Sequence, residues 1–332
     1  MSNSTLKNLL KDYEQKRILA FSDLEKRKEK LYASNTKLAE IDSELNNYAI
    51  STAKSILSNN NADYIDKLKA KIETLNIEKN TILNSLNISA DFFKPNFDCN
   101  LCEDTGYIKN GNKYDLCSCI KQKLFDIEYN KSNICSLQKD NFDNFNLNLY
   151  SDKINEQLYS SNLSPRDNIK NIKEIALSFI NNFDNIEEKN LLFVGNTGLG
   201  KTFLSNCIAN ELLKSGKTIL YQTAPVMLDS IIDYRFNKTN TANLYENILD
   251  VDLLIIDDLG TECMNSMKFS ELFNVINTRL LNQNNHVTKT IISTNLNLKD
   301  LKDKYDERIF SRFVGNYNIC RFFGDDIRFI KL

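Results

Sequence analysis

Apolar residues recur at helical spacing through the first part of the chain, which contains no glycine or proline before Pro95. They lie three or four positions apart, as in Leu38, Ile41, Leu45 and Tyr48 and again in Ile65, Leu68, Ile72 and Leu75. This spacing places the apolar side chains on one face of an amphipathic helix. Residues 1–94 are therefore predicted to form two or three helices, with breaks near Ser34–Asn35 and Asn59–Asn61. The apolar stripe fits a small helical bundle as well as a docking surface for a partner protein.

The pattern changes at Ser164–Pro165, where a capped helix is predicted to begin. Beyond this point, short runs of β-branched and apolar residues alternate with segments of helical spacing. The predicted strands are Leu191–Val194, Thr218–Gln222, Leu253–Asp257 and Thr290–Thr294. Such alternation is typical of an α/β domain in which helices cover a parallel sheet.

A glycine-rich segment follows the first of these strands directly and matches the pattern G-x-x-x-x-G-K-[ST]. It consists of Gly195, Asn196, Thr197, Gly198, Leu199, Gly200, Lys201 and Thr202. Glycines let backbone N–H groups turn toward phosphate groups, and the lysine supplies positive charge to the β- and γ-phosphates. The threonine hydroxyl is a predicted ligand of Mg²⁺, and the N-terminus of the following helix favours anions. The segment therefore predicts a site for ATP with Mg²⁺.

A second set of polar residues follows the later strands. The apolar run Leu253–Ile256 ends in Asp257 and Asp258, as expected of a strand whose first acid binds Mg²⁺ through water. Asp258 occupies the position of the base that polarises the attacking water, where glutamate is usual. Because aspartate is one methylene shorter, slow or partner-stimulated hydrolysis is expected. Asn295, after the next strand, is predicted to orient the same water.

Arginines near the C-terminus are candidates for contacts with the γ-phosphate. Arg308 and Arg312 are four residues apart and share one face of a predicted helix. Arg312 is predicted to reach the nucleotide of a neighbouring subunit, whereas Arg308 is expected to form an ion pair with Asp306 or Glu307. Arg328 is a predicted contact within the same chain.

Four of the eight cysteines form two close pairs, Cys99-x₂-Cys102 and Cys117-x-Cys119. Two such pairs on turns can converge on a tetrahedral Zn²⁺ ion, and four thiolates leave no open position for catalysis. A structural zinc site is therefore predicted. The second pair departs from the usual C-x₂-C spacing, and Cys135 could replace one ligand. The alternative is that these are reduced, buried cysteines that act as small apolar side chains.

Net charge and hydropathy limit how the protein could bind nucleic acids or membranes. The net charge of −2 over 332 residues means that any nucleic acid must be bound by a local patch rather than by the whole surface. No apolar run is long enough to span a membrane, and the N-terminus lacks the pattern of a signal peptide. A soluble, cytoplasmic protein is expected.

The motifs resemble those of the AAA+ domain of bacterial replicative helicase loaders of the DnaC/DnaI type. The resemblance covers about residues 140–332 through GNTGLGKT, LLIIDDLG, IISTN, ERIFSRF and GDDIR. Related transposition-helper ATPases of the IstB type share much of it. The segments CNLCEDTGYIKNG and DLCSC, followed by FDNFNLNLY, are similar to DnaI-type loaders, which place a zinc-binding region ahead of the ATPase.

The expected organisation has four parts. Residues 1–94 form a helical partner-binding region, 95–122 a zinc-binding unit, 123–160 a linker and 161–332 the AAA+ ATPase domain.

The resemblance implies an ATP-dependent loader of the replicative, DnaB-type helicase onto single-stranded DNA during replication initiation or restart. It further implies that the N-terminal region binds the hexameric helicase, that the ATPase domain binds single-stranded DNA, and that the protein works as a homo-oligomer or in a mixed assembly with the helicase. Tyr234–Lys238 combines basic and aromatic side chains that suit DNA contact, although a solvated loop fits it equally well. The alternatives are an IstB-like transposition helper and a zinc-dependent adaptor with a vestigial ATPase.

Overall fold

The computed structural model describes residues 3–57, 62–128, 140–236, 244–282 and 286–329. They divide into two compact units, one formed by Asn8–Asp115 and the other by Leu116–Leu332 together with Met1–Lys7. In this described part of the chain, no helix is long and apolar enough to cross a membrane.

The first unit begins with helices, as the apolar spacing predicts. They are α1 (Asn3–Ser34), α2 (Thr36–Leu57) and α3 (Ala62–Ser85). The predicted break at Ser34–Asn35 is confirmed, because Asn35 alone separates α1 from α2 and its side chain accepts the backbone N–H of Leu38 at 3.2 Å. The second predicted break, at Asn59–Asn61, lies outside the described residues.

A small apolar cluster holds these helices. Leu31, Leu38 and Leu83 are buried in it, and Phe92 and Phe93 pack against them from the 3₁₀ turn Ala90–Phe93. Ion pairs join α2 to α3 beside the cluster, including Lys79 to Asp42 at 2.6 Å between Nζ and Oδ1. Much of the remaining helical surface is solvated.

The cysteine-bearing segment contains a short hairpin of β1 (Tyr107–Asn110) and β2 (Lys113–Leu116), and α4 (Ser118–Glu128) follows it. Gly111 lies in the turn between the two strands with a φ of 60°, a left-handed conformation that glycine adopts without strain.

The second unit is built on a sheet of parallel strands. Its described strands are β3 (Asn190–Val194), β4 (Ile219–Thr223), β5 (Leu253–Leu259), β6 (Lys289–Thr294) and β7 (Tyr317–Arg321). They lie side by side in the order β4-β5-β6-β3-β7. Continuous apolar runs suit such strands, because a parallel sheet is covered on both faces.

Helices cover both faces of this sheet. They are α5 (Glu156–Tyr159), α6 (Pro165–Asn181), α7 (Lys201–Lys214), α8 (Ala224–Arg235), α9 (Leu244–Asp250), α10 (Ser266–Asn282), α11 (Leu298–Lys304) and α12 (Glu307–Asn316). Alternate residues of the strands belong to two apolar clusters. Leu191 and Ile255 pack with α6 and α7, whereas Leu192 and Leu254 pack with α8 to α12. The α/β prediction is thereby confirmed.

Local sequence explains where α6 begins. The Ser164 side chain accepts the backbone N–H of Asp167 at 3.1 Å, and Pro165 takes the first helical position, where no N–H is needed. The pattern did not predict β7, a short strand of mixed polarity at the edge of the sheet.

Candidate nucleotide and metal sites

The carboxyl ends of β5, β6 and β3 meet at one edge of the sheet, because these parallel strands are neighbours. Open α/β sheets bind ligands at this edge. The predicted residues follow these strand ends: the glycine-rich segment after β3, Asp257 and Asp258 at the end of β5, and Asn295 after β6. The topology therefore brings together residues that are far apart in sequence.

The glycine-rich loop requires glycine for close contacts as well as for its turns. A Cβ atom on Gly195 would overlap the carbonyl oxygen of Phe322, and one on Gly198 would overlap the carboxylate of Asp326. Both glycines also have positive φ values, 150° and 75°. The loop thus presents its backbone N–H groups in a conformation that other residues would strain.

Lys201, the first residue of α7, is 6% exposed. Its Nζ donates to the carbonyl oxygens of Gly195 at 2.6 Å and Asn196 at 2.7 Å, and to Oδ1 of Asn295 at 2.8 Å. Burial lowers the pKa of Lys201 to about 8, although the charges of Asp257 and Asp258 oppose the shift. The ammonium group is thus held in the mouth of the loop, between the loop backbone and the end of β6.

Thr202 and Asp257 provide oxygen atoms for a metal ion. The Thr202 hydroxyl donates to Oδ2 of Asp257 at 3.1 Å, and the carboxylate is almost fully buried. Mg²⁺ prefers oxygen ligands and binds through one or two carboxylates together with substrate phosphates. This hydroxyl and carboxylate, adjacent to the phosphate-binding loop, therefore fit Mg²⁺.

Asp258 lies beside them in a left-handed backbone conformation with a φ of 56°. Burial, followed by the charge of Asp257, raises the pKa of Asp258, while Lys201 and a hydrogen bond from Asn295 oppose the shift. A carboxylate with a raised pKa next to an amide side chain can accept a proton from a water molecule and hold that water in place.

A cavity of 470 Å³ connects these groups. One wall is the glycine-rich loop with Lys201, Thr202, Asp258 and Asn295. The rest of the lining comes from the predicted linker and the C-terminal segment, namely Asn144, Phe145, Asn146, Leu149, Tyr150, Ile327 and Arg328. Sequence reasoning missed these linker residues, although the aromatic run FDNFNLNLY marked their position. Apolar side chains beside a phosphate-binding loop fit the base and sugar of a nucleotide.

The C-terminal segment contacts the loop directly. The backbone N–H of Ile327 donates to the carbonyl oxygen of Gly198 at 3.0 Å. Arg328, which lines the cavity, pairs with Asp326, and its Nε donates to Oδ1 of that residue at 2.9 Å. Arg328 therefore lies in the same chain and at the same cavity as the loop.

The structure places the remaining predicted residues elsewhere. Arg312 does not line the described cavity, and its Nε donates to Oδ1 of Asn277 in α10 at 3.1 Å. Arg308 pairs with Asp306 at 2.9 Å, as expected. Tyr234 and Arg235 belong to the end of α8 rather than to a loop, and Arg235 pairs with Glu271 at 3.0 Å.

The predicted zinc ligands lie together. The sulfur atoms of Cys99, Cys102, Cys117 and Cys119 lie within 4.8 Å of one another. Tetrahedral Zn²⁺ with Zn–S bonds of about 2.3 Å requires S–S separations of roughly 3.8 Å, so the four thiols fit such an ion. Cys135, the alternative ligand, lies outside the described residues.

Hydrogen bonds to Asp104, which the cysteine spacing does not predict, stabilise the turn that carries the first cysteine pair. Asp104 is 2% exposed, and its carboxylate accepts the backbone N–H groups of Asp98 and Cys99, each at 2.9 Å. These bonds fix the turn that carries the first cysteine pair.

A phosphate-binding loop, an acidic strand end and a polar strand end on a parallel sheet of this order define a P-loop domain of the AAA+ class. Its candidate nucleotide site lies at the edge formed by the carboxyl ends of β3, β5 and β6.

Comparison with known proteins narrows this class. A family model described as IstB-like ATP binding protein matches residues 152–313. The replicative helicase loader DnaC of Escherichia coli (strain K12) is 30% identical over 144 residues, covering 42% of this chain and 56% of DnaC. DnaC of Buchnera aphidicola subsp. Baizongia pistaciae is 29% identical over 160 residues, covering 47% of this chain and 61% of that protein. The resemblance to DnaC-type loaders is confirmed.

This chain therefore spans a little over half the length of the DnaC proteins that it matches. A crystal structure of the DnaC helicase loader aligns with a TM-score of 0.42 and 22% identity, covering 56% of this chain and 98% of the other.

Proposed function

We propose that this protein is an ATP-dependent loader of the replicative, DnaB-type helicase onto single-stranded DNA during replication initiation or restart. One observation carries the proposal: the region with a complete nucleotide site belongs to a chain that is 30% identical to DnaC over 144 residues. A loader works where the chromosome is replicated, so we place the protein in the cytoplasm.

In this proposal the strand ends act as an ATP switch. Lys201 binds the phosphates, while Thr202 and Asp257 hold Mg²⁺, which neutralises phosphate charge when it is bound. Asp258 accepts a proton from the attacking water, and Asn295 orients that water. Because the Asp258 side chain is short, turnover is slow until a partner or DNA adjusts the site.

Two arginines would contact the γ-phosphate, one within its own chain and one in a neighbouring subunit. Arg328 lines the cavity and would contact the γ-phosphate within the same chain. Arg312 would reach the nucleotide of a neighbouring subunit, which requires a homo-oligomer or a mixed assembly with the helicase. Arg308, which is paired with Asp306 and has its guanidinium 5.4 Å from the Phe273 ring centre, would remain structural.

The helical unit would bind the helicase through α1. Ile18 and Leu19 are 60% and 61% exposed, and Phe21 is also exposed. Adjacent exposed apolar side chains on a helix are costly in water and are typical of a protein-binding surface. The four cysteines would hold a structural Zn²⁺ ion.

The test is native mass spectrometry of the full chain mixed with the replicative helicase of its own host, ATP and Mg²⁺. We expect a complex that the double substitution Ile18→Glu and Leu19→Glu disrupts. Ile77→Glu is the matched control, because Ile77 is 63% exposed in α3. A wild-type chain that forms no complex with the helicase would overturn the proposal.

The family match over residues 152–313 favours one further candidate, a DNA-binding ATPase that assists a transposase. The same mixture distinguishes the two functions if a transposase replaces the helicase. Capture of the transposase alone would favour the transposition helper and leave the nucleotide site as described.

A further inference from the structure

Tyr221 brings a buried hydroxyl group to the centre of the nucleotide site. It lies in β4, next to β5, and its backbone pairs with Ile255 two residues before Asp257. The side chain is 2% exposed, and its hydroxyl donates to Oδ2 of Asp257 and also contacts Thr202. The residue lies within an apolar strand, so the sequence pattern gave no reason to assign it to the site.

The carboxylate of Asp257 is held on both of its oxygen atoms. Oδ2 accepts from Tyr221 and from Thr202, while Oδ1 accepts from the Ser293 hydroxyl and from the backbone N–H of Asp258. Hydrogen bonds therefore restrain both oxygen atoms of this carboxylate. Donors from β4, β6 and α7 therefore fix the side-chain rotation of a residue in β5.

We propose that Tyr221 is a positioning residue for Mg²⁺. Its hydroxyl fixes the Asp257 carboxylate and the Thr202 hydroxyl relative to each other, so that both face the ion that accompanies ATP. The proposal rests on the ATPase site alone and is independent of helicase loading.

A packing role alone does not account for the hydroxyl. The aromatic ring packs in the apolar cluster that contains Leu191 and Ile255, where phenylalanine would serve equally well. Burial of a hydroxyl is unfavourable unless a partner accepts its hydrogen bond. Here the partner is the carboxylate of Asp257, which precedes Asp258, the proposed catalytic base.

The decisive variant is Tyr221→Phe, which removes only the hydroxyl. Partners that orient a metal ligand typically contribute about 10–100-fold in metal affinity. We therefore expect Mn²⁺ binding in the presence of a non-hydrolysable ATP analogue, followed by electron paramagnetic resonance, to weaken about tenfold. Nucleotide affinity in EDTA should change less than about twofold, because the phosphate contacts of the loop are unaltered.

Tyr317→Phe is the matched control. Tyr317 is also buried, and its hydroxyl hydrogen-bonds Thr290 near the amino ends of β7 and β6, at the opposite edge of the sheet. It should lower the melting temperature about as much as Tyr221→Phe without changing Mn²⁺ affinity. Ser293→Ala, which removes one of the two donors to Oδ1 rather than a donor to Oδ2, should weaken Mn²⁺ binding by a smaller factor.

Two results would overturn the proposal. One is wild-type Mn²⁺ affinity in Tyr221→Phe. The other is an equal loss of nucleotide affinity with and without the metal ion, which would indicate a general distortion of the site.

Discussion

The nucleotide site and the exposed surface of α1 depart from ordinary burial in opposite ways. In the ATPase unit, polar groups such as Lys201, Asp257 and Tyr221 are buried, at a cost that only hydrogen bonds and charge partners offset. In the helical unit, apolar groups such as Ile18 and Leu19 are exposed. Buried polar groups that converge on a cavity indicate chemistry, whereas exposed apolar groups indicate a partner protein. We therefore expect chemistry at the nucleotide site and the binding of a partner protein at α1.

The strongest test of this division is Lys201→Ala. We expect ATP turnover to fall more than roughly 100-fold, because the phosphates lose a positive charge held in a poorly solvated site. Binding of the helicase through α1 should persist. Lys214→Ala is the control, since Lys214 is exposed at the end of the same helix and pairs with Glu211 at 2.7 Å. Turnover in Lys201→Ala equal to that of the wild type would exclude this site, and a wild-type chain without turnover would favour the vestigial-ATPase adaptor.

Loss of the zinc ion should leave ATP binding and helicase binding intact. Cys117→Ser is expected to remove about one zinc ion per chain, measured by inductively coupled plasma mass spectrometry, because a hydroxyl is a poor ligand for Zn²⁺ beside thiolates. ATP affinity should remain within about twofold of the wild-type value. Cys263→Ser, at an exposed cysteine outside the cluster, should retain the metal. Equal zinc content in the two variants would contradict the four-thiol site.

A cavity in the helical unit should destabilise that unit alone. Leu38 is fully buried in the cluster with Leu31 and Leu83, so Leu38→Ala should lower the free energy of unfolding by about 3 kcal/mol. Hydrogen exchange should accelerate in α2 and α3 but not in β5. Ile50→Ala, at a residue that is 55% exposed in α2, is the control and should change little. Equal acceleration in β5 would show that the two units unfold together.

The smallest predicted effect is a pH dependence of ATP binding. The pKa of Lys201 is lowered to about 8, so its amine is mostly charged at pH 7 and mostly neutral at pH 9. Because the phosphates require the charged form, affinity should fall as pH rises through 8, by about tenfold at pH 9. Calorimetry in buffers of different ionisation enthalpy should then detect proton uptake. A pH-independent affinity between 7 and 9 would contradict the assignment.

Sequence patterns predicted the site residues that belong to short local motifs. They did not predict the residues that reach the site only because the chain folds back on itself. The loop Gly195–Thr202 and the acids that end β5 follow from short motifs on adjacent segments. Phe145 and Tyr150 reach the cavity from a segment about 50 residues before the loop, and no local pattern encodes that contact. Tyr221 fits the pattern of a buried strand, and nothing in that pattern indicates that its hydroxyl reaches Asp257. Spacing alone also left β7 unassigned, because its apolar residues do not form a run.

The left-handed backbone at Asp258 limits which substitutions this position can accept during evolution. Aspartate, asparagine and glycine tolerate a φ of 56°, whereas a longer side chain such as glutamate pays up to roughly 1–2 kcal/mol for it. The changes that preserve the backbone are therefore the ones that remove the carboxylate. Under the proposed role of Asp258, drift at this codon leads readily to a protein that retains ATP without cleaving it, and only with difficulty to a faster enzyme.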